Sequence, residues 1–125
     1  MKEILFRGKF GDEWKYGYLT IEPQGLAIKE PYECGASHIW CIDTETVGQY
    51  TGLNDKNGTK IFEGDILKFI DGDNEVSYYE VVYSEANCRW IIRQHEGATD
   101  DLDDFVGKYM TVVGNIYDNP KLLEV

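Results

Sequence analysis

Short apolar runs separated by turn residues recur along the chain, and this pattern predicts strands rather than helices. Trp14, Tyr16 and Tyr18 alternate with Lys15, Gly17 and Leu19, which is the period of two expected for a strand. Residues Trp14–Ile21 are therefore predicted to form a strand. No amphipathic helical stretch is long enough to connect parallel strands, so antiparallel pairing is expected. About eight short strands joined by Gly-containing turns are typical of a small β-barrel or sandwich.

The remaining predicted strands carry the same signals of β-branched and aromatic residues bounded by turns. They are Ile4–Arg7, Leu26–Ile28, His38–Ile42, Ile66–Ile70, Val76–Tyr83, Arg89–Arg93 and Lys108–Tyr117. The segment Lys29–Ser37 is expected to be a loop, because Pro31 and Gly35 interrupt it.

The stretch Thr46–Leu67 organises the rest of the chain, because two apolar runs flank strong turn signals. Asn57-Gly58 predicts a two-residue hairpin loop, which needs positive φ at both central positions. A second turn is expected at Glu63–Asp65, where Gly64 permits the bend and the Asp65 carboxylate can accept hydrogen bonds from backbone amides two residues further on.

The last third of the chain mixes strand and helix signals. Thr99 is predicted to cap one helical turn, with Leu102 and Phe105 facing inward. Gly114-Asn115 indicates a bulge or a close backbone approach in the last strand. Asn119–Leu123 is predicted to form a terminal helical turn.

The length and net charge of the chain limit the classes of function that the protein can have. A chain of 125 residues fits one domain, residues 1–125, and its net charge of −11 disfavours direct binding to a phosphate backbone or an anionic membrane. The charge permits a basic protein partner or a cation, and solubility explains it most simply. No signal peptide and no membrane span are recognised, and three cysteines are an odd count. We therefore expect reduced thiols in a cytoplasm.

Three carboxylates near the organising stretch are the first candidate for chemistry. Asp55, Glu63 and Asp65 would serve a divalent cation or acid–base catalysis if they converged, whereas local hydrogen bonding in turns explains them without a ligand. The loops Asn54–Gly58 and Asp71–Glu75 resemble calcium loops but do not have the EF-hand spacing. The turn interpretation is favoured, and no metal or cofactor is predicted.

A second candidate is a zinc site formed by Cys34, His38 and Cys41, with His95 or Cys88 as the fourth ligand. The odd separation of His38 and Cys41 on a strand places the two side chains on opposite faces. No Cys-x-x-Cys pair is present either. Buried thiols that behave as small hydrophobic residues are the favoured interpretation.

Two surface features are candidates for binding. Aromatic residues of one hairpin and the next strand can pack in the core, contact a protein or stack on bases; they are Tyr78, Tyr79, Tyr83 and Trp90, with Lys68, Arg89 and Arg93 nearby in sequence. Core packing together with ordinary surface tyrosines is favoured, followed by a protein interface. The densest acidic run is expected to be a solvated loop, or alternatively a partner-docking or DNA-mimicking face; it comprises Asp100, Asp101, Asp103 and Asp104.

The chain resembles the YopX-like family of phage and prophage proteins in several blocks that keep the family's order. The blocks are Ile4–Lys9, Thr46–Leu53 with Asp55 and Gly58, Lys60–Ile66, and Val113–Pro120. The match between Asp71 and Lys108 is looser. The resemblance implies an all-β protein with an SH3-like small barrel at about 46–125 and additional N-terminal strands at about 1–45. The resemblance also implies a phage-derived origin and a location in the bacterial cytoplasm. It assigns no catalytic residue to this chain.

Three functions are weighed on these grounds. The favoured one is a non-enzymatic protein-interaction or self-assembling module with an unknown partner. The alternative is an acidic nucleic-acid mimic or a single-strand nucleic-acid accessory protein. The least favoured is a metal-dependent hydrolase that uses Asp55, Glu63 and Asp65.

Overall fold

The structure is a computed structural model that describes residues 3–31 and 37–124. It confirms the all-β class, because antiparallel strands form most of the chain and helix is confined to two short segments of the described residues. The chain divides into two compact units, residues 1–50 and residues 51–125. No helix in the described part of the chain has both the length and the apolar character needed to cross a membrane.

The first unit is a sheet of antiparallel strands. Its strands are β1 (Phe6–Phe10), β2 (Glu13–Glu22), β3 (Gly25–Pro31), β4 (Ser37–Cys41) and β5 (Asp43–Asn54). Their order is β4-β3-β2-β1-β5, and β5 continues into the second unit. Two predicted strand boundaries were wrong. β1 begins two residues later than Ile4, and β3 extends to Pro31, into the predicted loop Lys29–Ser37, because it pairs with both β2 and β4. Residues 32–36 of that predicted loop lie outside the described residues.

Close backbone packing shapes the first unit. A Cβ atom at Gly17 would overlap the carbonyl oxygen of Lys29, so β2 approaches β3 where only glycine fits. Ile28 is fully buried beside this contact. Side chains alternate along β4 and the residue after it, since Trp40 is half-buried and Ile42 buried while Ile39 and Cys41 are exposed.

The second unit contains the remaining elements. They are β6 (Lys60–Phe62), β7 (Asp65–Ile70), β8 (Val76–Ser84), β9 (Arg89–Arg93), β10 (Thr99–Asp101), the helix α1 (Asp104–Tyr109), β11 (Met110–Asn115) and a 3-10 turn, Pro120–Glu124. Five of these strands form a sheet in the order β10-β9-β8-β7-β11, and β6 is the neighbour of β5. Because β10 and β11 are edge strands in the described pairing, this sheet is open and not a closed barrel. The 3-10 turn confirms the predicted terminal turn.

One apolar cluster forms the core of the second unit. Each residue of the cluster is at most 3% exposed. The cluster consists of Ile61, Leu67, Val81, Ile92, Val106 and Met110. Val106 comes from α1, so the short helix is fixed to the sheet by this one fully buried side chain.

The predicted two-residue hairpin loop was wrong in length. Five residues, 55–59, connect β5 and β6, and of the central pair only Gly58 has positive φ, at 84°. The Asp55 carboxylate selects this loop, since its Oδ1 accepts from the amides of Asn57 and Thr59 at 2.9 Å each. An Asp at the first position therefore overrode the Asn-Gly signal.

An aspartate carboxylate that accepts hydrogen bonds from loop amides also closes the hairpin between β7 and β8. Asp71 Oδ1 accepts from the amides of Asp73 at 2.8 Å and Glu75 at 3.0 Å, and Asn74 has a φ of 62°. The two loops that resemble calcium loops thus use their first aspartate to bind backbone amides.

The predicted helical turn was displaced. Residues Thr99–Asp101 form β10, which pairs with β9, and Asp103 caps α1 by accepting from the Phe105 amide at 3.0 Å. The helix consequently turns Val106 inward and leaves Phe105 46% exposed. The inward position of Leu102, packed against the core, is confirmed.

The last strand is shorter than predicted, because α1 extends to Tyr109 and β11 ends at Asn115. The bulge is confirmed by a register shift between Val112 and Gly114. A Cβ at Gly114 would overlap Asn119 Oδ1, so the close approach is confirmed as well.

Candidate functional site

Three aromatic rings come together where α1 packs beside β7. The ring centroids of Phe69 and Phe105 are 5.4 Å apart, and those of Phe105 and Tyr109 are 4.8 Å apart. Phe105 is 46% exposed and Tyr109 55% exposed. Large apolar side chains that remain half exposed while stacking on one another form a contiguous apolar surface, which is typical of binding sites.

An open cavity of about 390 Å³ lies next to these rings. Phe69, Tyr79 and Phe105 line it, together with the carboxylates of Asp100, Asp101 and Asp103, and core side chains form its floor. We call this cavity the ring–carboxylate groove. Its volume lies within the range of roughly 300–1,000 Å³ usual for ligand sites.

Local hydrogen bonds hold the three carboxylates in place. Asp103 Oδ1 caps α1, Asp100 Oδ1 accepts from the Asp101 amide at 2.8 Å, and Asp101 Oδ1 is 2.9 Å from Arg89 Nε. Each contact uses one oxygen. Both side chains are exposed, and among the described residues no donor contacts the second oxygen of Asp100 or Asp103.

The predicted carboxylate triad has a structural role at two of its three positions. Asp55 accepts two hydrogen bonds from amides of its own loop through Oδ1. Its Oδ2 accepts a third, from the Val112 amide, at 2.9 Å. Asp65 is 1% exposed, and its Oδ2 accepts from the Phe62 amide at 2.7 Å. Within the described residues, Asp55, Glu63 and Asp65 do not form a group that could hold a metal ion. Both aspartates therefore bond backbone amides at turns, but Asp65 binds the amide three residues before it, whereas an amide two residues further on was predicted.

The zinc hypothesis is not supported by the positions of its described members. Cys34 lies outside the described residues. Cys41 and Cys88 are free and exposed, so the prediction of buried thiols was wrong for both. Cys41 is exposed because β4 turns Trp40 inward, and Cys88 sits in a turn with a φ of 52°. No group of metal-ligating side chains involving His38 or His95 is found in the part of the chain that the structure describes.

The predicted tyrosine hairpin contributes one side chain to the groove. Tyr79 and Trp90 pack against the core, which confirms the favoured interpretation for these two rings. Tyr83 is 43% exposed and stacks edge-on against Trp90 at 5.1 Å. Tyr78 lies on the opposite face from Tyr79, as adjacent strand residues must.

The aromatic side chains of this site were only partly predicted from the sequence. Tyr79 and the acidic run were candidates, whereas Phe105 was assigned to the core and neither Phe69 nor Tyr109 was considered for the site. One signal in the sequence could have found the two exposed rings. If Asp103 caps the helix, Phe105 and Tyr109 lie four residues apart on one face of that helix.

Comparison with known proteins now identifies the family. The family model described as YopX protein matches residues 10–124. The chain belongs to the YopX family. This confirms the resemblance seen in the sequence. No curated protein is similar enough in sequence to count as a match.

Two solved structures share the fold. The YopX protein from Bacillus subtilis is 19% identical with a TM-score of 0.63, covering 95% of this chain and 97% of that chain. The protein EF1440 from Enterococcus faecalis is 24% identical with a TM-score of 0.57, covering 98% of this chain and 99% of that chain. At these identities the likeness concerns the fold alone.

Proposed function

We propose that this YopX-family protein is a non-enzymatic protein-interaction module that binds a partner through the ring–carboxylate groove. The observation that carries the proposal is the exposed pair Phe105 and Tyr109, stacked beside the cavity. Aromatic side chains that are held rigidly at the surface are the usual anchors of protein interfaces.

The use of the candidate catalytic carboxylates supports a non-enzymatic role. Both oxygens of Asp55 accept backbone hydrogen bonds, and Asp65 is buried against the Phe62 amide. Groups committed in this way stabilise loops and are poorly placed to transfer protons to a substrate.

The setting we propose is the cytoplasm of a bacterial host, in phage or prophage biology. The resemblance to the YopX-like family supports this setting, and the two similar structures come from bacteria. The partner is either a host protein, a phage protein or a second copy of the chain. Size-exclusion chromatography with light scattering distinguishes self-association from binding to another protein.

Affinity capture with matched variants tests the proposal. The tagged full chain, a Phe105→Ala/Tyr109→Ala variant and a Tyr18→Ala/Ile21→Ala variant are incubated with a bacterial lysate. Tyr18 and Ile21 are 58% and 87% exposed in the other unit, so they control for loss of exposed apolar surface.

We expect the wild type and the control to retain a common protein that the groove variant loses by roughly tenfold or more, as for interface anchors. Equal retention by all three proteins would contradict the proposal.

A second candidate is an acidic mimic of nucleic acid that occupies a DNA-binding protein. The observation in its favour is that residues 51–125 carry 15 Asp and Glu but only seven Lys and Arg. A mimic competes with DNA for a basic protein, and the competition weakens as salt rises. A gel-shift assay with labelled DNA, the DNA-binding protein and increasing amounts of this chain tests it.

A further inference from the structure

We propose that the ring–carboxylate groove binds an arginine side chain of the partner, adjacent to an apolar residue of the same segment. This inference rests on the proposed function and specifies the chemistry that the groove recognises. The occupant is defined by the complementarity of its charge and shape to the groove.

The rings supply one half of that complementarity. Phe69, Tyr79 and Phe105 line the cavity, and Phe105 is 46% exposed. A planar guanidinium stacks on aromatic faces and gives up its hydration more readily than a lysine ammonium does. Ile92, Val106 and Met110 also line the cavity and supply an apolar surface for the neighbouring apolar residue.

The carboxylates supply the other half. Asp100 and Asp103 line the same cavity as the rings, and the second oxygen of each carboxylate has no donor within the described residues. A guanidinium presents several N–H donors in a fixed plane, so it can contact a carboxylate while stacked on a ring.

The rim already contains one guanidinium. Arg89 Nε is 2.9 Å from Asp101 Oδ1, and both side chains are more than half exposed. This ion pair shows the contact that we assign to the incoming arginine. It also neutralises Asp101, which leaves Asp100 and Asp103 as the carboxylates available to the partner.

A titration with a pair of small probes tests the inference. Acetyl-leucyl-arginine amide and its citrulline analogue, which has the same shape but no charge, are added to the ¹⁵N-labelled full chain. The variants are Asp100→Asn/Asp103→Asn and, as a charge-matched control, Asp73→Asn/Glu75→Gln in the exposed loop after β7. Asparagine is as good a helix cap as aspartate, so α1 is retained.

We expect amide shifts centred on residues 99–106 with the arginine probe. The citrulline probe should bind roughly tenfold more weakly, and the Asp100→Asn/Asp103→Asn variant should lose roughly the same factor, because charge-assisted hydrogen bonds are lost in both cases. The control variant should change the affinity by less than about twofold, because its charges lie outside the groove.

Equal binding of the two probes, unchanged binding by the Asp100→Asn/Asp103→Asn variant, or no shifts with the arginine probe would each overturn the inference. The proposed function is judged separately by affinity capture. If the Phe105→Ala/Tyr109→Ala variant loses its partner in the affinity capture while the probe titration fails, only the assignment of an arginine to the groove is wrong.

Discussion

Asp55 accepts a hydrogen bond from the backbone amide of Val112 at 2.9 Å, although the two residues are 57 positions apart in the chain. The same carboxylate closes its own five-residue loop, and the amide of the next residue, Lys56, donates to the carbonyl of Met110 at 3.1 Å. These contacts cover part of the open edge of β11. Covering an edge in this way prevents it from pairing with another chain.

Replacing Asp55 with alanine should therefore destabilise the fold strongly. Three amide groups lose their acceptor, and the Val112 amide is partly buried, so we expect the free energy of unfolding to fall by about 3 kcal/mol. Urea denaturation followed by tryptophan fluorescence measures this change.

The matched control is Asp71→Ala, because Asp71 makes the same two loop contacts without the long-range one. Its expected cost is about 1 kcal/mol. A loss for Asp55→Ala no larger than that for Asp71→Ala would show that the contact to Val112 contributes nothing.

The close approach of β2 and β3 gives a second prediction. Gly17→Ala should lower the free energy of unfolding by about 3 kcal/mol, because the new methyl group meets the Lys29 carbonyl and the backbone must move. Gly72→Ala, where an added Cβ meets nothing within 4 Å, should be neutral or slightly stabilising. Thermal unfolding of both variants decides the matter, and equal stability would contradict the packing described here.

The register of α1 gives a third prediction. Val106→Ala should destabilise the protein by about 2 kcal/mol, because it opens a cavity in the core. Phe105→Ala removes a larger side chain but should lower the free energy of unfolding by only about 1 kcal/mol, since Phe105 is 46% exposed in the native protein. The opposite order would mean that the helix starts earlier and turns Phe105 inward.

Thiol reactivity gives a fourth prediction. Cys41 and Cys88 are exposed, so both should react with a disulfide reagent in the native protein at mildly alkaline pH. Cys41→Ser and Cys88→Ser should each remove one fast equivalent. If denaturant were required before either thiol reacted, the exposed positions assigned to these cysteines would be wrong.

The sequence predicted those parts of the fold in which local and long-range signals agree. The strands that became β7, β8 and β9 have strong apolar patterns and short connections, and they were located to within one residue or better. The turn at Gly64 and the bulge at Gly114 were also predicted, because only glycine fits there without strain or overlap.

The errors arose where tertiary contacts decided between competing local signals. Thr99 and Asp103 both qualify as helix caps, and pairing of β10 with β9 made Thr99 part of a strand. Asn57-Gly58 favours a tight turn, but Asp55 forms more hydrogen bonds in the longer loop. The groove depends on the first of these choices, since the starting point of α1 determines which ring is exposed.

Mapping the interface on the protein tests the central claim most directly. The ¹⁵N-labelled full chain is titrated with the purified partner found by affinity capture, and the shifted or broadened amides are assigned. The account predicts that the strongest changes fall at residues 99–110 and at Phe69, around the ring–carboxylate groove. Changes confined to residues 4–50, with the groove unaffected, would contradict it.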